Sequence, residues 1–162
     1  MRIDVIFDSV CPWCYIGKRR LEKALALDRE YPDIRPELAA VFHQLGRFED
    51  ASHILEEELA ANGPCATCCY NLGLAYLEQD DVVGARRGFE AAVAVEPNYQ
   101  LAHYNLGCVL GRQGETRGAV ESFAEAYRVD PEQTRRWLRS DTEDFSALLE
   151  EPLFQTIFGW DD

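Results

Sequence analysis

Tyr70-Asn71-Leu72-Gly73 returns as Tyr104-Asn105-Leu106-Gly107, an offset of 34 residues. The same offset carries Ala85 to Ala119, Phe89 to Phe123, Ala92 to Ala126 and Pro97 to Pro131. A fixed period of this length, with the same residue types at the same phase, marks stacked helix-turn-helix units in which each unit completes the core of its neighbour. The chemistry of the repeated positions fits that geometry. Gly73 and Gly107 lack a Cβ and let two helices approach closely; Ala85, Ala92, Ala119 and Ala126 do the same from the partner helix. Phe89 and Phe123 are expected to fill the space between successive hairpins. Pro97 and Pro131 fall just past the second helix, which proline cannot continue. Gly114 supplies a tight turn within the last unit, and Asp80-Asp81 stands there in the one before.

One period earlier the pattern persists in weaker form. Leu38, Phe42, Ala51 and Leu55 occupy the apolar positions, Ala39 stands in place of glycine, and Leu45-Gly46-Arg47-Phe48-Glu49-Asp50-Ala51 reads as a turn into a second helix, with Gly63-Pro64 closing the unit. Three units follow, 32–65, 66–99 and 100–133. Beyond Pro131 the period breaks. Thr134 to Ser140, with Trp137 and Leu138, reads as the start of another first helix. Phe145, Leu148, Leu149, Leu153, Phe154, Ile157 and Phe158 then recur at helical spacing, with Pro152 breaking the run. A terminal repeat needs its open apolar face covered, so 134–162 reads as a C-terminal cap; an exposed aromatic tail that docks on a partner is the other reading.

The 34-residue pattern resembles the tetratricopeptide repeat. The resemblance implies an all-α fold, a short right-handed solenoid of about three helix-turn-helix units with capping helices after it, and a concave groove lined by the first helix of each unit. By that resemblance the ligand-facing positions are Thr67, Tyr70, Asn71, Leu74, Leu77 and Glu78 in one unit and Leu101, Tyr104, Asn105, Cys108, Gly111 and Arg112 in the next, with His43 and Gln44 from the first. Of these, Tyr70, Asn71, Leu74, Tyr104, Asn105, Cys108 and Arg112 are the expected partner-binding residues: amides for a peptide backbone, tyrosines for contact area. Asn71 and Asn105 are also read as common repeat residues without a ligand of their own. Members of the family that clamp a C-terminal carboxylate place lysines in this groove. Leu101 stands at one such position, which speaks against a chaperone tail as ligand.

The N-terminus has a different character. Arg2 to Phe7 alternates and reads as a short strand-like arm, which runs into Cys11-Pro12-Trp13-Cys14-Tyr15-Ile16-Gly17-Lys18 at the head of a helix. A helix N-terminus stabilises a thiolate, so Cys11 reads as a nucleophile and Cys14, one turn on, as its resolving thiol. Residues 2 to 27 resemble the start of the thioredoxin-like disulfide oxidoreductases, including the hydroxychromene-carboxylate isomerases. The further strands and facing proline loop of that family have no counterpart downstream, so 1–31 reads as a fragment of such a fold. Its helix, 12 to 30, is expected to pack on the first unit as a half-repeat. Cys11 and Cys14 are the candidate catalytic residues.

Bulk properties narrow the function. The chain has 162 residues, is 47% hydrophobic and 28% charged, and carries a net charge of −13. Residues 1 to 30 hold six Lys/Arg against five carboxylates, a balance of +1 that leaves −14 on the rest. Such an acidic surface repels nucleic acid and anionic membranes and favours a basic or neutral partner. No apolar run is long enough to span a bilayer, and Asp4 and Asp8 interrupt the only apolar stretch at the start, so a cytoplasmic location is expected. There the six cysteines are not structural disulfides by default. Cys69 falls at a core position, Cys108 on the inner face of its helix, and Cys65-Ala66-Thr67-Cys68 at a helix start, where a metal half-site and a reversible disulfide are both open readings. The residues present imply no cofactor and no defined metal site.

The leading reading is a protein-interaction scaffold without catalysis, which binds a peptide or protein in the concave groove. The alternative is a thiol-disulfide oxidoreductase or redox-sensing adaptor acting through Cys11 and Cys14. A self-assembling array is a third.

Overall fold

The computed structural model describes residues 35–140 and 152–158. Eight helices account for nearly all of them: α1 (Arg35–Gln44), α2 (Phe48–Asn62), α3 (Ala66–Glu78), α4 (Val82–Val95), α5 (Gln100–Arg112), α6 (Thr116–Val129), α7 (Pro131–Ser140) and α8 (Pro152–Phe158). No strand occurs among the described residues. The fold is all-α, a solenoid in which α1 pairs with α2, α3 with α4 and α5 with α6, while α2 meets α3, α4 meets α5 and α6 meets α7 in chain order. The strand-like arm at Arg2 to Phe7, the helix over 12 to 30, and Cys11 and Cys14 lie outside the described residues.

The turns inside the three hairpins use one backbone device. Gly46, Asp80 and Gly114, spaced 34 residues apart, have φ of 68°, 58° and 76°. Glycine enters this left-handed region freely, and aspartate is among the few other residues that tolerate it. The next residue is the N-cap of the second helix. Asp81 caps α4 by accepting the Gly84 N–H at 2.9 Å. The second helices stop alike: Glu96 and Asp130 are extended ahead of Pro97 and Pro131, as the residue before a proline prefers.

Gly73 and Phe89 explain why the pattern is strict. A Cβ on Gly73 would stand 2.7 Å from the Phe89 ring, and one on Gly107 would stand 2.6 Å from Phe123. Each phenylalanine therefore lies over the glycine of its own hairpin, and Phe89 also joins the apolar cluster that continues into the next unit. The expectation of a wedge between hairpins covered only half of this role. Gly88, which the repeat pattern does not single out, makes the closest approach to backbone: a Cβ there would come within 2.6 Å of the Gly73 Cα and N. Phe89, Phe123, Leu38, Leu55, Val109 and Val120 are fully buried, each stabilising the fold by roughly 1.5–3 kcal/mol.

Two prolines do more than the sequence expectation gave them, although Pro131 does follow α6 as expected. Pro131 and Pro152, read there as breaks, are the first residues of α7 and α8. The N1 position needs no N–H and suits the fixed φ of proline. Asp130 alone separates α6 from α7, and its carboxylate accepts the Gln133 N–H at 3.0 Å. Leu138 of α7 and Phe154 and Phe158 of α8 are each about 1% exposed. They close the apolar end of the last hairpin, as a cap should.

Candidate functional site

The first helices α1, α3 and α5 carry the positions expected to meet a ligand. Asn105 Nδ2 donates to the Tyr70 hydroxyl at 3.0 Å, tying α5 to α3 across one repeat. The Tyr70 ring packs against Phe89 (centroids 5.7 Å apart) and Tyr99 (5.1 Å). Burial raises the Tyr70 phenol above its ordinary pKa, the neighbouring Tyr99 adds to this, and the bond from Asn105 opposes it. The hydroxyl is thus held neutral and fixed in place.

The same bond cannot form one repeat earlier. Pro36 stands where Tyr70 and Tyr104 stand in their units, so Asn71 has no tyrosine to serve. It lines instead a cleft of about 160 Å³ with Leu74, between α3 and the first hairpin; Ala39, Ala40, His43 and Gln44 of α1 and Ala51 and Leu55 of α2 complete it. The His43 ring meets Phe48 edge-on at 5.1 Å, and its buried Nε2 has no hydrogen-bond partner among the described residues. A polar atom left unpaired in a dry place costs about 1–3 kcal/mol, so this nitrogen is ready to pair with an incoming group.

The other expected residues divide. Cys108 is half-buried. Arg112 is exposed in the last turn of α5, where its charge suits the helix dipole. Leu101 is 39% exposed and Thr67 is exposed. Tyr104 is different: at 6% exposure, its ring is packed on Phe123 (5.4 Å) and Trp137 (5.0 Å), within the core beneath α7. Tyr104 therefore offers little open surface, whereas Tyr70 is half-buried. The reason is Trp137, which arrives from the cap and covers the ring.

Sequence reasoning missed a second cleft on the side of the second helices, about 250 Å³ in volume, bordered by Leu59, Cys69, Leu72, Tyr76, Gly84, Arg87, Gly88 and Ala91. Gly84 and Gly88 were its available signal, since small residues on one helix face leave a groove. At its edge Tyr76 donates to the Glu56 carboxylate. Burial first and this bond second push the Tyr76 phenol up to about 12.

Of the cysteines, Cys69 is buried at 3% exposure and burial raises its thiol pKa. Cys65 and Cys68 are joined as a disulfide with Cα atoms 5.2 Å apart. Cys65 is the N-cap of α3, and its Sγ accepts the Cys68 N–H at 3.0 Å. Among the described residues no three His, Cys, Asp or Glu side chains converge to hold a metal. No described helix is long and apolar enough to cross a membrane.

Comparison with known proteins agrees with this architecture. Family models described as tetratricopeptide repeat match residues 37–100 and 101–133. A model described as a DSBA-like thioredoxin domain matches residues 2–46, overlapping the first hairpin, where the described residues are helical. The BBSome complex member BBS4 of Xenopus tropicalis is 27% identical over 90 residues, covering 56% of this chain and 17% of that protein. The chain spans less than a fifth of the length of the curated relatives it matches. Among solved structures, MamA superimposes with a TM-score of 0.72 at 23% identity, covering 87% of this chain and 82% of that one. The second repeat domain of human RPAP3, solved with the HSP70 peptide SGPTIEEVD, gives 0.62 at 19% identity, covering 72% and 93%. These likenesses are of fold. With a 34-residue period, glycines seated under phenylalanines, and repeat models matching from residue 37 to residue 133, the chain belongs to the tetratricopeptide-repeat family.

Proposed function

We propose that this protein is an interaction scaffold that binds an extended peptide or protein segment along the face formed by α1, α3 and α5. The observation that carries this reading is the cleft between α1 and α3, where the amide of Asn71 and the partnerless His43 Nε2 stand beside the apolar Leu74 and Ala39. That mixture suits a peptide: an apolar side chain enters the cleft while the amide and imidazole meet its backbone. Tyr70, Asn105, Cys108 and Arg112 continue the face along α3 and α5. A basic or neutral partner fits the −14 carried by residues 31–162.

The RPAP3 domain shares this fold and binds a peptide ending in EEVD. A tail with several carboxylates needs several cations. The described first helices hold no lysine, and of their two arginines Arg35 lies 3.5 Å from Glu58, leaving Arg112. An acidic tail is therefore not the ligand we propose.

The test is a pull-down with the full chain, comparing wild type with His43→Ala/Asn71→Ala and with Arg117→Ala on the second-helix side. Loss of the same partners in the first variant alone supports the groove. Partners retained by both variants place the binding surface elsewhere.

A second reading is favoured by the DSBA-like match over residues 2–46: thiol-disulfide exchange through Cys11 and Cys14. Reduction of insulin by wild type but not by Cys11→Ser would establish it, and equal rates would remove it.

A further inference from the structure

The disulfide at the start of α3 belongs to neither reading. Its two sulfurs differ in three respects. Cys65 caps the helix from an extended backbone (φ −121°, ψ 140°), whereas Cys68 lies inside the first turn. Cys65 is half-buried, whereas Cys68 is 2% exposed. The Cys68 N–H points at Cys65 Sγ, so the backbone of the helix favours negative charge on that sulfur and not on the other. Access to Cys65 is open from the outside: Pro64 before it and Thr67 between the two cysteines are both exposed.

Position, burial and hydrogen bonding therefore assign different chemistry to each sulfur. The more accessible, capped sulfur attacks; a buried one three residues on waits to displace the adduct. The Cα separation of 5.2 Å is within the range a disulfide spans without backbone movement, so the pair closes and opens on a fixed helix. The neighbouring Cys69 is buried, its thiol pKa is raised by that burial, and it stays protonated.

We propose that Cys65 and Cys68 form a reversible two-electron thiol–disulfide site that exchanges with low-molecular-weight disulfides of the glutathione type, with Cys65 attacking and Cys68 resolving. In the reduced protein, the Cys65 thiolate attacks one sulfur of the disulfide. A bond forms from Cys65 Sγ to that sulfur, and the other half leaves as a thiolate. Cys68 gives its proton to that thiolate and attacks Cys65 Sγ, expelling the second half as a thiolate, which takes from water the proton that Cys65 gave up on ionising. The protein pair is oxidised by two electrons and the small disulfide is reduced to two thiols. Excess thiol drives the same steps backwards.

The site is tested in the full chain with Cys11→Ser/Cys14→Ser as background, so that the outcome is independent of the N-terminal pair. The protein is equilibrated in glutathione buffers of graded thiol-to-disulfide ratio, free thiols are alkylated, and the adducts are mapped by peptide mass. Cys65 and Cys68 should lose alkylation together, with one midpoint, and regain it on return to thiol, while Cys69 stays alkylated. In that background Cys68→Ala should trap one glutathione on Cys65, and Cys65→Ser should leave Cys68 without adduct. Two thiols that persist in fully oxidised glutathione, a bond from Cys65 to Cys69, or a disulfide that thiol does not reopen would overturn the proposal. An equal adduct on Cys68 in the Cys65→Ser protein would overturn the assigned roles.

Discussion

Gln100 Nε2 donates to the Thr134 hydroxyl at 3.1 Å, and the two residues are 34 positions apart. Gln100 opens α5; Thr134, fully buried, sits in the first turn of α7. This bond seats α7 in the place that the first helix of a further repeat would take, although none of the Tyr-Asn-Leu-Gly signature survives there. The cap is thus a repeat helix in position but not in motif. Phe154 and Phe158, in ring contact at 4.6 Å, then cover what a second helix would have covered.

Removing that cover should be costly. Phe154→Ala is expected to destabilise the fold by about 3–5 kcal/mol through lost burial and a cavity. Chemical denaturation of the full chain reads this directly, and a loss below about 1 kcal/mol would show that α8 does not close the core.

The left-handed turns make a prediction with opposite signs at equivalent positions. Asp80 occupies with a side chain what Gly46 and Gly114 occupy without one. Asp80→Gly should gain about 0.5–1 kcal/mol, and Gly114→Ala should lose about 1–2 kcal/mol, since a Cβ in this region is strained. Nothing lies within 4 Å of the Cβ at Gly114, so denaturant midpoints would report backbone strain free of any clash.

Two helical glycines should likewise part company. A Cβ at Gly88 meets the rigid backbone of Gly73 at 2.6 Å, whereas one at Gly118 meets only the end of the Leu110 side chain at 3.3 Å. Gly88→Ala is expected to cost about 2 kcal/mol net, overpacking outweighing helix propensity. Gly118→Ala should be neutral or gain up to about 1 kcal/mol. Thermal melts of the pair decide it.

Tyr76 predicts an alkaline sensitivity. Its phenol is pushed from 10.0 up to about 12 in the folded chain, so folding favours the neutral form. The stability this contributes is complete below pH 10 and is lost as pH rises through the interval to about 12. Tyr76→Phe should flatten the pH dependence of the denaturation midpoint across that interval. An unchanged slope would mean that neither burial nor the bond to Glu56 holds the proton.

The stacking of helices was legible because it depends on pairs that leave two marks each: Gly73 with Phe89, Gly107 with Phe123. Each needs the other, so both recur at one period. The roles of Pro131 and Pro152 were not legible, since a proline after a helix looks the same whether the chain stops or starts anew. The burial of Tyr104, expected among the partner-binding residues, was not legible because its covering residue, Trp137, lies in the aperiodic tail. Conversely, Asn71 gained importance only once the cleft beside Pro36 was visible. The bond between Cys65 and Cys68 was one of two open readings, because Cys-x-x-Cys spacing serves metal and disulfide alike.

Among the described residues, the apolar interior falls into separate parcels. Leu38, Phe42, Ile54, Leu55, Cys68 and Leu72 form one, and Phe89, Leu106, Phe123, Leu138, Phe154 and Phe158 belong to another, with Tyr76 packed against both. A molecule divided in this way need not melt as a whole. It can peel, its first hairpin lifting from α3 while the later layers keep their shape, because the first parcel reaches beyond that hairpin only as far as Cys68, Leu72 and Ala75 of α3 and their neighbours. The cleft holding His43 and Asn71 straddles that seam. A ligand lodged there would fasten the loose end to the firm one, so occupancy should be felt most in the amide exchange of α1 and α2.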